Sequence, residues 1–273
     1  MAERSLGQVR CFLLDLDGTF YVGGRLLPGS RPFMDSLART GRDYLFVTNN
    51  SSQHAGHYAD KLAHMGFPVP QEKVFTSGEA TALYLRRRYP GARLYVVGTP
   101  ALEHEMRRHG FALSDDAADV AVLGFDTTLT YDKLRRLCDW VRAGLPYVAT
   151  HPDFNCPVEG GYIPDIGAMI AFVRASTGRD PEVIGKPQAE MARAAMARTG
   201  LEPHQLAMVG DRLYTDVAMG KGAGILSILV LSGETSRQDL ETSQIQPDLV
   251  FADLGELARA LESESSGDRQ TVL

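Results

Sequence analysis

The sequence lacks the features that mark secreted, membrane-spanning or disulfide-stabilised proteins. Its three cysteines, Cys11, Cys138 and Cys156, are too few and too scattered for a disulfide framework or a paired-cysteine zinc site. No long apolar stretch with a small-residue cleavage site opens the chain, and apolar runs such as residues 225–231 fall far short of the ~20 residues that span a bilayer. We therefore expect a cytoplasmic protein that does not contact a membrane.

An excess of basic residues is also absent. The chain of 273 residues has a formal net charge of −6, which offers no positive field for a nucleic-acid backbone, so no nucleic-acid partner is expected. Hydrophobic residues at 44% and charged residues at 23% are proportions of an ordinary globular protein. At roughly 150 residues per domain, the length indicates one large or two modest domains.

Short apolar runs typical of buried strands alternate with amphipathic stretches typical of helices. The strand-like runs are residues 11–14, 44–47, 94–97, 120–123, 147–149, 206–209, 225–231 and 249–251. The helix-like stretches are residues 31–39, 57–65, 131–141 and 188–198. This alternation predicts an α/β fold with parallel sheets covered by helices. Turn-rich segments at residues 89–91 and 178–181 bracket a part with its own strand and helix pattern, which indicates an inserted domain.

Two pairs of aspartates follow predicted strands. Asp15 and Asp17 come after the first strand, and Asp211 and Asp216 come after residues 206–209. Ligands of open parallel sheets bind at the carboxyl ends of the strands, and a divalent cation relieves the repulsion between close carboxylates. We therefore expect one hard cation to be shared by the two turns. Taken alone, Asp15 and Asp17 are equally well explained as helix caps or surface turn residues.

Thr48 and Lys186 are the candidates for binding a phosphoryl group, which requires positive charge and hydrogen-bond donors. Thr48 follows the strand-like run 44–47. Lys186 precedes Pro187, which suits the first turn of a helix and leaves the lysine just before it. Each has an ordinary alternative, a strand-end cap for Thr48 and a solvated surface charge for Lys186.

Together and in this order, the four polar segments resemble those of the haloacid dehalogenase superfamily of phosphotransferases. They are residues 13–19 (LLDLDGT), 47–52 (VTNNSS), 185–187 (GKP) and 210–216 (GDRLYTD). They are similar to the segments of subfamily IIA, the NagD-like and p-nitrophenyl-phosphatase-like proteins, and the resemblance covers nearly the whole chain. It implies a Rossmann-like parallel sheet core, residues 1–86 and 182–273, with an inserted α/β cap domain, residues 87–181, that determines substrate specificity.

The resemblance also implies roles for individual residues. Asp15 is the nucleophile that forms an aspartyl phosphate, and Asp17 is the general acid and base. Superfamily ATPases usually have threonine at the position of Asp17, so this aspartate favours a phosphatase. The phosphoryl oxygens are held by the side chains of Thr48 and Lys186 and by the amides of Leu16, Asp17 and Asn49.

Magnesium is the implied cofactor, because a partly hydrated site with oxygen ligands suits this ion. Its implied ligands are Asp15, the backbone carbonyl of Asp17, and Asp211, with Asp216 acting through a water molecule. The resemblance is the source of this ligand set.

Residues 150–155 correspond to a cap segment that faces the substrate in relatives, which makes His151 and Asp153 candidate specificity residues. Many relatives have asparagine in place of His151. The alternative for His151 is a loop histidine packed beside Pro152. Tyr21, just after the catalytic turn, either lines the pocket or packs against the flap.

These residues predict a phosphatase acting on a small phosphorylated metabolite, such as a nucleoside monophosphate, a sugar phosphate, phosphoglycolate or pyridoxal phosphate, and on p-nitrophenyl phosphate in vitro. One alternative is a non-catalytic module that binds a phosphate ligand on the same fold. Another is dehalogenation of a haloacid without metal, against which the proton shuttle at Asp17 and the acidic cluster argue. A homodimer is compatible with the sequence but does not follow from it.

Overall fold

The computed structural model describes residues 5–158 and 160–267, and the chain divides into two compact units. The first unit contains Met1–Val47, Lys61–Val74 and Pro187–Leu273, and the second contains Thr48–Asp60 and Phe75–Lys186. Each unit is described by itself below. The ends of the predicted core, residues 1–4 and 268–273, lie outside the described residues.

Strands and helices alternate along the chain. The strands are β1 (Cys11–Leu14), β2 (Tyr21–Val22), β3 (Arg25–Leu26), β4 (Asp43–Thr48), β5 (Val74–Thr76), β6 (Arg93–Val97), β7 (Ala112–Leu113), β8 (Val120–Leu123), β9 (Tyr147–Ala149), β10 (Asn155–Val158), β11 (Gly161–Pro164), β12 (Glu182–Val183), β13 (Leu206–Gly210), β14 (Leu226–Val230) and β15 (Leu249–Phe251). The α-helices are α1 (Ser30–Thr40), α2 (Ala55–His64), α3 (Ser77–Arg88), α4 (Pro100–Arg108), α5 (Tyr131–Arg142), α6 (Ile166–Thr177), α7 (Ala189–Thr199), α8 (Ala218–Ala223), α9 (Arg237–Thr242) and α10 (Leu254–Gly267).

The larger sheet has the strand order β15-β14-β13-β1-β4-β5. Parallel pairing joins β15, β14, β13, β1 and β4. Every residue of β1, β13 and β14 is buried, because these apolar strands are covered on both faces. The predicted Rossmann-like α/β fold with a parallel sheet core is thus confirmed.

The second unit has a parallel sheet of its own, with the order β12-β9-β8-β6-β7. Its core is built from β6, β8 and β9 together with apolar faces of α5 and α6. Strands β10 and β11 form a separate antiparallel hairpin after β9. Their side chains lie mostly exposed, so this hairpin adds little to the core.

The boundaries of the second unit differ from those predicted for the inserted domain. The segment Thr48–Asp60 belongs to this unit because its hydroxyls and carbonyls bond to the loops that follow β6 and β8. The Ser51 hydroxyl accepts a bond from Phe125 N at 2.9 Å, and the Thr99 hydroxyl donates to Ser52 O at 2.8 Å. Helix α3 belongs to the same unit and packs against α4. The division into a catalytic core and a specificity cap stays a prediction.

Helix α7 begins later than the sequence indicates. Pro187 is predicted in the first helical turn, whereas α7 starts at Ala189 with Gln188 as its N-cap. Within the described ranges, no helix is both long enough and apolar enough to cross a bilayer.

Candidate active site

Three carboxylates meet in the first unit, at the carboxyl ends of two neighbouring strands. Asp15 directly follows β1 and Asp211 directly follows β13, and the Asp15 amide donates to Val209 O at 2.9 Å. Asp216 lies in a π-helical turn, Leu213–Val217, that leads from β13 into α8. Carboxylate oxygens of Asp15, Asp211 and Asp216 lie within 4.8 Å of one another. The parallel register of β1 and β13 therefore brings together residues that are about 200 positions apart.

Asp211 is buried and enclosed by the backbone. Its Oδ1 accepts a hydrogen bond from the Thr19 hydroxyl at 3.2 Å, and its Oδ2 accepts one from the Glu234 amide at 2.7 Å. A Cβ atom on Gly18 would lie 2.4 Å, and one on Gly233 2.0 Å, from Oδ2. Gly18 also has φ +84°, a conformation that favours glycine. Both glycines thus leave the space that the carboxylate occupies.

The carboxylates of this cluster repel one another. Burial raises the pKa of Asp211 well above its ordinary value, and repulsion from Asp15 and Asp216 adds to the effect. Arg212 lies beside the cluster, with Nε 2.8 Å from Glu234 Oε2. Burial works against the charge of Arg212, yet Asp15 and Glu234 raise the pKa of its guanidinium. Binding of a positively charged group would consequently relieve the repulsion between these carboxylates.

A divalent cation fits this cluster. Asp15 is partly exposed while Asp211 and Asp216 are buried, so the oxygens are enclosed and still open on one side. Hard cations such as magnesium and calcium prefer carboxylate and carbonyl oxygens, and their charge relieves the mutual repulsion that burial makes costly. The donor set therefore agrees with a divalent metal site.

Asp17 lies two residues beyond Asp15 and has two close partners in the first unit. The Tyr21 hydroxyl donates to Asp17 Oδ2 at 3.1 Å, and Lys61 Nζ lies 3.9 Å from Oδ1. Burial raises the pKa of Asp17 and Asp15 adds to this, whereas Lys61 and Tyr21 act in the opposite direction. A carboxyl with a raised pKa is suited to donate a proton near neutral pH.

The sequence leaves open whether Tyr21 lines the pocket or packs against the flap, and it does not indicate Lys61. The structure shows where both side chains lie. Tyr21 is completely buried, so the ring packs in the interior while its hydroxyl reaches Asp17. Lys61 is 44 positions from Asp17 in an ordinary amphipathic helix, and no motif marks it. Its position becomes visible only when α2 is placed beside the turn after β1.

The predicted phosphate-binding residues Thr48, Asn49 and Lys186 all belong to the second unit. The Asn49 side chain accepts a bond from Lys186 N at 2.8 Å and donates to Lys186 O at 2.9 Å. The same amide nitrogen lies 3.1 Å from Asp153 Oδ2. A Cβ atom on Gly185 would lie 2.7 Å from Asn49 Oδ1, so glycine is needed for this approach. Asn49 thereby fixes the backbone of Lys186 and joins it to Asp153.

His151 is completely buried in the second unit, and both of its ring nitrogens have partners. Nδ1 lies 3.0 Å from the Thr150 hydroxyl, and Nε2 lies 3.1 Å from Asp165 Oδ1. Asp165 is the N-cap of α6 and also accepts a bond from the Ile166 amide. The described contacts of His151 are therefore internal. An influence of His151 on substrate specificity stays a prediction. Its contacts with Thr150 and Asp165 would transmit such an influence through the loop that contains His151 and through α6.

We expect His151→Asn to lower the free energy of unfolding by about 1–3 kcal/mol. The shorter asparagine side chain cannot bridge Thr150 and Asp165, which leaves buried polar atoms without their bonds. Urea denaturation measures the change. His104→Asn, at an exposed position of α4 in the same unit, is the control and should leave the unfolding midpoint unchanged. Equal unfolding free energies for His151→Asn and wild type would contradict this account of the contacts.

The fold and the clustered carboxylates define a class, Rossmann-like α/β proteins with an acidic site at the carboxyl ends of parallel strands. Residues 12–112 match the haloacid dehalogenase-like hydrolase family, and residues 183–257 match the HAD-hydrolase-like family. The chain belongs to the haloacid dehalogenase-like hydrolases and is a phosphatase of that family. The predicted subfamily, NagD-like and p-nitrophenyl-phosphatase-like, is confirmed as well.

Several relatives are similar over almost the full length of this chain. An acid sugar phosphatase of Staphylococcus aureus is 36% identical over 256 residues, which cover 93% of this chain and 99% of the relative. The structure of a 4-nitrophenylphosphatase from Thermotoga maritima is 47% identical, with a TM-score of 0.90 and coverage of 93% of this chain and 98% of that one. The structure of a glycerol phosphate phosphatase from Mycobacterium tuberculosis, in complex with calcium, is 35% identical, with a TM-score of 0.86. The match covers 92% of this chain and 75% of that one.

Proposed function

We propose that this protein is a magnesium-dependent phosphatase that hydrolyses a phosphate monoester of a small metabolite through an aspartyl phosphate on Asp15. The observation that carries the proposal is the cluster of Asp15, Asp211 and Asp216, whose oxygens lie within 4.8 Å of one another. Asp17 stands two residues further on, with one carboxylate oxygen bonded to Tyr21. Nucleophile, proton donor and cation ligands are thus supplied by two turns of one unit.

The reaction proceeds in two displacements at phosphorus. An Asp15 oxygen attacks, the bond from phosphorus to the leaving oxygen breaks, and Asp17 gives its proton to that oxygen. A water oxygen then attacks the aspartyl phosphate and passes a proton to Asp17, while the bond from Asp15 to phosphorus breaks. Asp15 and Asp17 return to their starting states, and inorganic phosphate is released.

Charge on the phosphoryl group is balanced by residues of this chain and by the cation. Asp15, the Asp17 carbonyl and Asp211 would hold magnesium, with Asp216 acting through water, and the bound ion would neutralise charge on the phosphoryl oxygens. Thr48, Lys186 and the amides of Leu16, Asp17 and Asn49 are the proposed donors to these oxygens. Lys186 suits this role because the Asn49 side chain holds its backbone on both sides.

The substrate is proposed to be a small phosphorylated metabolite, a nucleoside monophosphate, a sugar phosphate or a similar compound. Relatives named for sugar and glycerol phosphates favour a sugar or polyol phosphate among these. His151 and Asp153 remain proposed specificity residues in the proposed cap domain, residues 87–181. A cytoplasmic location, an absence of membrane and nucleic-acid partners, and a possible homodimer belong to the same proposal.

Phosphate release from a panel of esters tests the proposal. The panel contains sugar phosphates, glycerol phosphate, nucleoside monophosphates, phosphoglycolate, pyridoxal phosphate and p-nitrophenyl phosphate, each assayed with magnesium and with excess chelator. We expect turnover of p-nitrophenyl phosphate and of one group of metabolites, and its loss in chelator. Phosphate release that persists in chelator would contradict the proposed magnesium dependence. Release of halide from a haloacid in chelator would favour dehalogenase chemistry instead.

A further inference from the structure

Asp17, Tyr21 and Lys61 form a triangle of side chains in the first unit, which we call the Asp17 triad. Each side chain contacts the other two. Tyr21 Oη lies 3.1 Å from Asp17 Oδ2, Lys61 Nζ lies 3.9 Å from Asp17 Oδ1, and Lys61 Nζ lies 4.1 Å from the centre of the Tyr21 ring. A closed triangle restricts each side chain more than a single contact does. The Asp17 carboxylate is therefore oriented by two neighbours at once.

The turn that carries Asp17 is also fixed through its backbone. The Gly18 amide donates to Tyr21 O at 2.8 Å, and the Tyr21 amide donates to Leu16 O at 3.1 Å. Tyr21 is completely buried, so its ring cannot turn away from the carboxylate without leaving the core. The position of its hydroxyl is consequently restricted by the packing around the ring.

The exposure of Asp17 and Lys61 argues against a purely stabilising function of the triad. The side chain of Asp17 is 45% exposed and that of Lys61 is 34% exposed. Ion pairs that are this open to solvent contribute little to folding. Lys61 nevertheless lies over the Tyr21 ring within the range of a cation–π interaction, which restrains the ring and the ammonium together. The arrangement restricts the carboxylate and still leaves it accessible.

We propose that Tyr21 and Lys61 are positioning residues for Asp17: the Tyr21 hydroxyl bonds to Oδ2, and Lys61 lies over the tyrosine ring and 3.9 Å from Oδ1, so that the carboxyl group is held in one orientation for proton transfer to the leaving group. This inference rests on the proposed function, in which Asp17 is the general acid. A proton donor must be held within hydrogen-bond reach of the atom that it protonates, and loss of this orientation slows that transfer.

The inference predicts that substitution of Tyr21 or Lys61 lowers kcat/KM by an amount that depends on the leaving group. During formation of the aspartyl phosphate, the bond from phosphorus to the leaving oxygen breaks and the proton of Asp17 moves to that oxygen. An alkyl alkoxide requires this proton, whereas p-nitrophenolate is stable enough to depart without it. The value of kcat/KM reports the steps up to departure of the leaving group, so it separates the two cases.

The experiment compares glycerol phosphate or another alkyl phosphate turned over by wild type with p-nitrophenyl phosphate. For Tyr21→Phe, which keeps the buried ring, we expect kcat/KM to fall about tenfold on the alkyl ester and less than about twofold on p-nitrophenyl phosphate. For Lys61→Met, which keeps the stem of the side chain, we expect about a threefold fall on the alkyl ester. The kcat of both substrates should fall together where water attack limits turnover, because Asp17 takes part in that step for each.

The same unit offers a matched control. Lys73 Nζ lies 5.2 Å from the centre of the Tyr44 ring and pairs with Asp43 at 2.5 Å, so the same three residue types lie together at the other end of the sheet. Tyr44→Phe and Lys73→Met make the same chemical changes away from Asp17. Both control variants should keep the wild-type kcat/KM on both esters.

The outcomes separate this inference from the proposed function. A larger fall in the kcat/KM of Tyr21→Phe on the alkyl ester than on p-nitrophenyl phosphate supports the inference. An equal fall in kcat/KM on both esters, or no fall in kcat/KM on either, overturns it while the proposed phosphatase stands. If wild type turns over neither ester in magnesium, the proposed function fails and the inference fails with it.

Discussion

Asp15→Asn should reduce phosphate release by about four orders of magnitude or more at saturating magnesium. The amide is a poor nucleophile, so no aspartyl phosphate forms, and the remaining carboxylates do not replace it. Asp211 is buried and already accepts bonds from Thr19 and the Glu234 amide, while Asp17 is held by Tyr21. Initial rates on p-nitrophenyl phosphate and on the best metabolite from the panel measure the loss.

A second measurement identifies the nucleophile. Wild type that is quenched in acid during turnover should carry one phosphoryl group, and peptide mass spectrometry should place it on Asp15. Asp35→Asn, at an exposed position of α1, is the matched control and should keep full activity. Activity in Asp15→Asn above a hundredth of the wild-type rate, or a phosphoryl group on another residue, would remove Asp15 from the role of nucleophile.

Asp211→Asn should weaken magnesium binding at least about tenfold and reduce turnover by about a hundredfold at magnesium concentrations near the wild-type Kd. Asp211 supplies one of the three carboxylates of the cluster and is the one that Gly18 and Gly233 enclose. Isothermal titration with magnesium measures the affinity in the absence of substrate. An unchanged affinity would remove Asp211 from the metal site.

The same substitution should stabilise the metal-free protein by about 1 kcal/mol. Because burial and the neighbouring carboxylates raise the pKa of Asp211 in the fold, its contribution to stability is present at pH values below ~4 and is lost as the pH rises through the folded pKa. In chelator, wild type should therefore lose stability toward neutral pH more steeply than Asp211→Asn. Added magnesium should restore stability mainly to wild type.

Asp248→Asn should change the stability of the protein in the direction opposite to Asp211→Asn. Burial acts to raise the pKa of Asp248, but Lys221 and Ser227 outweigh it and lower that pKa, so the carboxylate stabilises the fold at pH values above its unfolded pKa and loses this contribution as the pH falls. Replacing it should destabilise the protein at neutral pH and leave magnesium affinity unchanged. Thermal unfolding across pH in chelator measures both variants. A loss of stability in both would contradict the repulsion assigned to the cluster.

The accuracy of the predicted fold depended on how much of each element is buried. Residues 11–14 and 120–123 are apolar throughout and match β1 and β8, because full burial leaves an uninterrupted apolar run. The hairpin of β10 and β11 has mostly exposed side chains and contains Pro157, so neither alternation nor an apolar run marks it. Helix α3 buries small residues such as Gly78 and Ala80, which weakens its apolar period.

The candidate site was predictable where its residues directly follow strands. Asp15 and Asp211 are such residues, and the structure brings their carboxylates together as a shared cation requires. The burial of His151 was not predictable, because its partner Asp165 lies across the hairpin of β10 and β11. Lys61 could not be identified for the same reason, since its contacts with Asp17 and Tyr21 depend on how α2 packs.

The pairing of β1 with β13 has a consequence for how the chain is made. β1 leaves the ribosome early, but its neighbour Leu206–Gly210 is synthesised almost 200 residues later. During that interval the central strand has only β4 beside it and presents an unpaired edge, which is open to association with other chains. The entropy of closing so long a loop grows only slowly with length, so the delay is set by synthesis more than by the search for the partner strand. Asp15, the proposed nucleophile, is therefore synthesised long before Asp211, its neighbour in the carboxylate cluster.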